Sequence, residues 1–228
     1  MHNTKSIIYF EFQRTFKMNT QEHLSQLSEI KSLMERSSKC LSLSGLSGVA
    51  AGCIALICGS YAWWYVGGNQ FASPVDVTNH FFGYPITSRP FIHVVSIATI
   101  TLVLAIGAAF FFTYQNSRKK GLKIWDASTK YFLINLFIPI ITGGLFCLSL
   151  IYHGELYLLS SCTLIFYGLA LLNASRYTHQ EIRYLGISEI VLGLVSTFFI
   201  GYGIVFWLFG FGVLHIVYGI VMYLKHEK

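Results

Sequence analysis

The apolar residues of this chain run in long blocks, and the polar residues gather between them. Six blocks read as membrane-spanning helices, because a run of about 18 or more apolar residues with few charges is long enough to cross the hydrocarbon core. They cover about 41–66, 91–114, 130–152, 156–173, 185–202 and 204–224. Ahead of them, residues 19–40 follow a helical period. Leu24, Leu27, Ile30, Leu33 and Met34 form one stripe, with Glu22, Glu29, Lys31, Glu35 and Arg36 opposite. Asn19 and Glu22 resemble a capping box. The pattern predicts an amphipathic cytoplasmic helix lying on the membrane or beneath the bundle; the alternative is a docking helix for a cytosolic partner. Residues 1–18 are poorly patterned and lack the apolar core and cleavage site of a signal peptide, and Met18 is an alternative start.

Within the blocks, Tyr61, Trp63, Trp64 and Tyr65 close the first with an aromatic belt of the kind found at membrane interfaces. Pro139, Gly143 and Gly144 interrupt the third and predict a kink, serving either as a hinge or as packing. The expected architecture is all-α: an N-terminal extension (1–18), an amphipathic helix (19–40) and a six-helix transmembrane domain (41–228).

Composition strengthens this picture. Of the 228 residues, 54% are apolar and 11% charged, against roughly 25% charged in soluble domains; the mean hydropathy is +0.57. Fifteen of the sixteen Lys and Arg residues fall on one side of the six-block pattern, and Arg89 alone falls on the other. Cytoplasmic loops retain Lys and Arg, so both termini are expected inside a bacterial inner membrane, with residues 67–90 the one long outer loop. The net charge of +6 does not call for nucleic acid, because the basic residues flank apolar runs. Arg118, Lys119, Lys120 and Lys123 form a basic inner loop that would attract anionic lipid at about 1 kcal/mol per residue. Cys40, Cys53, Cys58, Cys147 and Cys162 lie in or beside the blocks without a CxxC, so neither a disulfide nor a zinc site is predicted. His80, His93 and His153 face outward at spacings that define no metal site.

Two segments echo each other. Gly45-Leu46-Ser47-Gly48-Val49-Ala50-Ala51-Gly52 shares its skeleton with Gly186-Ile187-Ser188-Glu189-Ile190-Val191-Leu192-Gly193, and Tyr167-Gly168-Leu169 matches Tyr218-Gly219-Ile220. The chain reads as three related hairpins, or as apolar glycine-rich helices that coincide. The last hairpin resembles those of HdeD-type six-helix bacterial membrane proteins. The stretches Ile30–Ser38 with Leu41–Gly48, Asn173–Thr178 with Glu181–Gly186, and Gly210–Gly219 resemble an uncharacterised family of bacterial six-span inner-membrane proteins. That resemblance implies a topology and no activity.

Three groups are candidates for chemistry or contact. Ser44, Gly48 and Gly52 place small residues on one helix face, for a seam within the chain or a homodimer. Glu189 and His215 are the only residues ionisable near neutral pH that sit inside the blocks rather than at their edges, and a titratable group inside a membrane is a functional suspect. With the fifth helix starting at Leu185, Glu189 lies roughly 6 Å and His215 roughly 14 Å inside the cytoplasmic boundary. The pair would relay a proton; alternatively Glu189 reaches the interface or pairs with Arg36, Lys39 or Arg183, and His215 bonds another helix. Gly45-Leu46-Ser47-Gly48 matches the GxSG of rhomboid-type proteases, but its serine lies on the first helix without the expected companions. The expected function is a non-enzymatic regulatory, sensory or scaffold component with a cytoplasmic partner surface. The alternative is a small transporter or proton-coupled carrier using Glu189 and His215. No cofactor or metal is expected, and the expected partners are the bilayer, a cytosolic protein and a second copy.

Overall fold

The computed structural model describes residues 43–66, 80–81, 84–85, 89–121 and 125–228. The helix expected over 19–40, Cys40 and Lys123 lie outside these residues. The chain divides into units Met1–Lys39 and Cys40–Lys228, and all described residues belong to the second.

That unit is helical: α1 (Gly45–Val66), α2 (Arg89–Lys120), α3 (Ala127–His153), α4 (Leu159–Ala174), α5 (Gln180–Ser196) and α6 (Gly203–His226). Short 3-10 turns at Leu156–Leu158 and Ser175–Tyr177 flank α4. A two-residue antiparallel bridge pairs His80–Phe81 with Tyr84–Pro85 between α1 and α2. Local signals set the boundaries. Asp126 caps α3 by accepting the Thr129 N–H at 2.7 Å. At the other end Gly154, at φ 81°, turns its N–H back to the last carbonyls.

Among the described residues, five helices are long and apolar enough to cross a membrane: α1, α2, α3, α4 with its flanking turns, and α6. Their exterior agrees. Ile100, Leu102, Val103, Phe110, Ile134, Ile141 and Leu145 are exposed, whereas Ser44, Ser117, Ser161, Glu189 and His215 are buried. A surface of large apolar side chains around a partly polar interior is the arrangement a lipid solvent favours.

The fifth block differs from its expected bounds. α5 spans 17 residues and starts at Gln180, while the apolar stretch from Thr197 to Tyr202 forms turns. Thr197, Phe198 and Phe199 direct their N–H groups to carbonyls only three residues back, and Gly201 then reverses the chain at φ 96°. Hydropathy does not sense a turn, so Phe198, Phe199 and Ile200 read as span.

Helix packing runs α2–α1–α6 on one side and α3–α4–α5 on the other, with α5 and α4 also touching α6. The echo in the sequence is a shared packing geometry. A Cβ on Gly168 of α4 would stand 2.6 Å from the Gly186 carbonyl oxygen and 2.8 Å from the Ile190 nitrogen of α5. A Cβ on Gly219 of α6 would stand 2.7 Å from the Gly45 carbonyl oxygen and 2.6 Å from the Val49 nitrogen of α1. Further along, Gly193 meets the Ile165 nitrogen and Gly52 the Ile216 nitrogen, each at 3.0 Å. The offset between α4 and α6 is 51 residues at both places (219 − 168 and 216 − 165). The α6–α1 seam therefore repeats the α4–α5 seam. The small-residue face of Gly48 and Gly52 is occupied within the chain by α6.

Pro139 lies inside α3, which continues through it. Of its two companions, Gly143 is pressed against the Phe166 ring of α4, and Gly144 has nothing within 4 Å. The structure also brings Cys147 and Cys162 together as free thiols with their sulfurs 3.2 Å apart across α3 and α4, a proximity their spacing in sequence conceals.

The seams separate two classes of glycine. Gly168→Ala and Gly219→Ala should each lower stability by about 1–3 kcal/mol, since neighbouring backbone must move to admit the methyl. Gly107→Ala and Gly144→Ala, at open sites, should leave the thermal midpoint of the detergent-purified protein unchanged. Equal midpoints in all four would overturn the two-seam packing.

Candidate functional site

Glu189 stands nine residues beyond Gln180, in the middle of α5. Because the helix starts at Gln180, about 14 Å of helix lies on one side of Glu189 and about 10 Å on the other. This is deeper than a helix starting at Leu185 implies. Its side chain is 0% exposed, and among the described residues neither carboxylate oxygen has a hydrogen-bond partner. The interface and Arg183 are thus not its destinations; Arg36 and Lys39 lie outside the described residues.

His215 is what faces it. The His215 Nδ1 lies 3.4 Å from Glu189 Oε1, and the imidazole is 7% exposed. Nδ1 is also 3.0 Å from the Gly210 carbonyl oxygen, and Nε2 is 2.9 Å from the Tyr167 hydroxyl. One neutral tautomer satisfies Gly210 and Tyr167 together: Nδ1–H donates to the Gly210 carbonyl, and the Tyr167 hydroxyl donates to Nε2. The tautomer is assigned from its partners. Tyr167 and Phe211 pack on the imidazole at centroid distances of 5.4 and 5.8 Å and on each other at 5.0 Å, so the three rings form one aromatic cluster.

The backbone of α6 makes room for this arrangement. Leu208–Leu214 is π-helical, with ordinary α-helix on both sides. Such wide turns are uncommon and cluster at functional sites. Within it, the Gly210 carbonyl is taken by the side chain of His215, five residues on. Gly210 also admits the carboxylate: a Cβ there would stand 2.5 Å from Glu189 Oε2 and 2.5 Å from a Leu164 methyl.

The chemistry sits where the two seams differ. By the seam correspondence, Glu189 of α5 stands where α1 has Gly48, and His215 of α6 stands where α4 has Leu164. Two further contacts on these helices are polar without charge. The Ser161 and Ser196 hydroxyls meet at 2.9 Å on one side of the pair, and Ser188 and Tyr218 approach at 3.4 Å. Tyr167 and Gly210 escaped sequence reading as site residues, since one resembled a repeat marker and the other one more glycine in an apolar run. The Gly210-Phe211-Gly212 triplet was their available signal.

The other expected site residues lie apart from this cluster. The Ser44 hydroxyl donates to Glu227 Oε2 at 3.0 Å, and the Gly45 N–H donates to the other oxygen of that carboxylate, so the end of the chain caps α1. Ser47 donates to the Ser44 carbonyl, and both His215 ring nitrogens are engaged elsewhere, so no serine–histidine dyad is assembled. Arg118, Lys119 and Lys120, expected in an inner loop, instead form the last turn of α2; Arg118 lies over the Tyr114 ring at 5.9 Å, and Lys120 donates to the His226 carbonyl at 3.1 Å. Lys119 is exposed.

No known protein family, curated protein or solved structure matches the chain.

If the Gly210 gap seats the carboxylate, Gly210→Ala should destabilise the protein by about 1–3 kcal/mol. Adding Glu189→Ala to that variant should recover much of the loss, giving a non-additive double-mutant cycle. Strict additivity of the two thermal shifts would show that carboxylate and glycine are not in contact.

Proposed function

We propose that the protein is a proton-coupled carrier of the bacterial inner membrane, with Glu189 and His215 as its proton-binding pair. The observation behind this reading is a fully buried carboxylate without a hydrogen bond, 3.4 Å from a buried imidazole. A group so placed is expensive to maintain in a membrane, and such residues mark proton relays and substrate paths. His215 supplies a two-way switch. With a proton on Glu189, Nδ1–H rests on the Gly210 carbonyl. With Glu189 charged, the same hydrogen is drawn to Oε1 and the carbonyl is released. The π-helical stretch is the element that this exchange would bias, so protonation is linked to the shape of α6.

The topology belongs to the same proposal: six crossings, counting the short α5, with both termini on the basic side facing the cytoplasm, as in the bacterial six-span family that the sequence resembles. Reporter fusions at residue 80 and at the C terminus test it, and an external C terminus would refute it. A second reading is a sensory or scaffold component. It is favoured by α6 ending at Lys225 and His226 against Glu181 of α5, where a shift of α6 would reach a partner on the basic face.

In proteoliposomes, a pH step should produce reversible proton uptake that Glu189→Gln abolishes and His215→Gln displaces in pH, with expression of both variants retained. A carrier additionally sustains proton flux once its co-substrate is supplied, whereas a sensor shows stoichiometric uptake only. Undiminished uptake in Glu189→Gln would overturn the assignment.

A further inference from the structure

A second group of titratable side chains lies outside the buried pair, at the end of the bundle where α5 begins and α6 ends. His179 occupies the N-cap position of α5, Glu181 lies in its first turn, and His226 is the last residue of α6. One ligand atom from each lies within 4.8 Å of the others. His226 Nε2 is 3.3 Å from Glu181 Oε2, and the two imidazoles approach with centroids 4.1 Å apart. Tetrahedral zinc, with ligand bonds of about 2.0–2.2 Å, holds neighbouring ligand atoms roughly 3.3–3.5 Å apart. Against the 4.8 Å limit the cluster therefore needs a contraction of up to about 1.4 Å, which a residue at a helix terminus and one just ahead of a helix can supply.

We infer that His179, Glu181 and His226 form a binding site for a divalent transition metal, Zn2+ by ligand type, that clasps the start of α5 to the end of α6. Two imidazoles and one carboxylate suit zinc and leave a fourth position for water. Magnesium and calcium, which take oxygen ligands, are disfavoured. Glu181 offers one carboxylate oxygen to each neighbour, Oε1 to Lys225 and Oε2 to His226. The opposing cation is Lys225, whose Nζ lies 2.6 Å from Glu181 Oε1. Its side chain is 61% exposed and it uses the oxygen turned away from His226, so it can withdraw without disturbing Oε2.

This site is independent of proton binding at Glu189, and metal binding tests it directly. The full-length protein, purified without a polyhistidine tag and stripped with a chelator, is titrated with Zn2+ against a chromophoric competitor and with Co2+ by visible absorption. One equivalent should bind, with a four-coordinate Co2+ spectrum lacking thiolate charge transfer. His179→Ala and His226→Ala should each weaken binding by more than about tenfold, at unchanged metal-free thermal midpoints. Lys225→Ala should tighten it, a gain that misfolding cannot mimic. Absence of stoichiometric binding, a thiolate band, or affinities indifferent to both histidine variants would overturn the site. If a histidine variant fails to fold, Lys225→Ala decides: affinity equal to or below that of the parent would refute it.

Discussion

A carboxylate held away from water and from hydrogen-bond donors, in the middle of an apolar bundle, is the constraint around which α4, α5 and α6 are arranged. An unpaired polar group in a low-dielectric interior carries a penalty of several kcal/mol. The structure contains it by bringing His215 to 3.4 Å and by removing the Gly210 side chain that would occupy the same space. The wide π-helical turn aligns these two features, since it lets a histidine engage the carbonyl five residues behind it. Tyr167 then fixes the far nitrogen, and with it the tautomer. These groups are therefore tied to one another through direct contacts.

The glycine seams explain how such a site fits between helices. Close approach of backbones requires small residues, and in lipid that approach supplies packing that the hydrophobic effect does not. The α4–α5 and α6–α1 interfaces meet this need with the same glycines at the same offset. Glu189 and His215 depart from that common pattern, one replacing a glycine and the other a leucine. A packing scaffold used twice thus holds this buried polar pair in one of its two copies. At the opposite extreme, α2 and α3 are the least covered of the helices and present broad apolar faces suited to lipid.

The fold was legible in the sequence to the extent that hydropathy determines it. Long apolar runs dictate helices because a lipid interior leaves backbone groups no other partner. The positions of α1, α3, α4 and α6 followed to within about four residues, whereas α2 runs six residues past its expected end, to Lys120. The start and end of α5 did not follow. Its first turn is made of polar residues and its expected last turn of aromatic ones, so composition pointed to the wrong segment at both ends. Glu189 and His215 were visible as a pair because ionisable groups are rare in apolar runs. Tyr167 was not, because a tyrosine in such a run has many ordinary uses.

What the sequence determined by itself is the class of solvent and the residues that do not belong in it: apolar runs and two titratable side chains out of place. What only the tertiary structure decided is who meets whom. The α6–α1 contact, the Cys147–Cys162 approach, the Glu227 cap on α1 and the clustering of His179 with His226 all join residues far apart in the chain. Hydropathy is a property of each segment and is preserved when helices are rearranged. Contact distances depend on how glycine-lined faces dock, and a π-helical turn rotates every side chain beyond it. That rotation, set by packing rather than by composition, points His215 at Glu189.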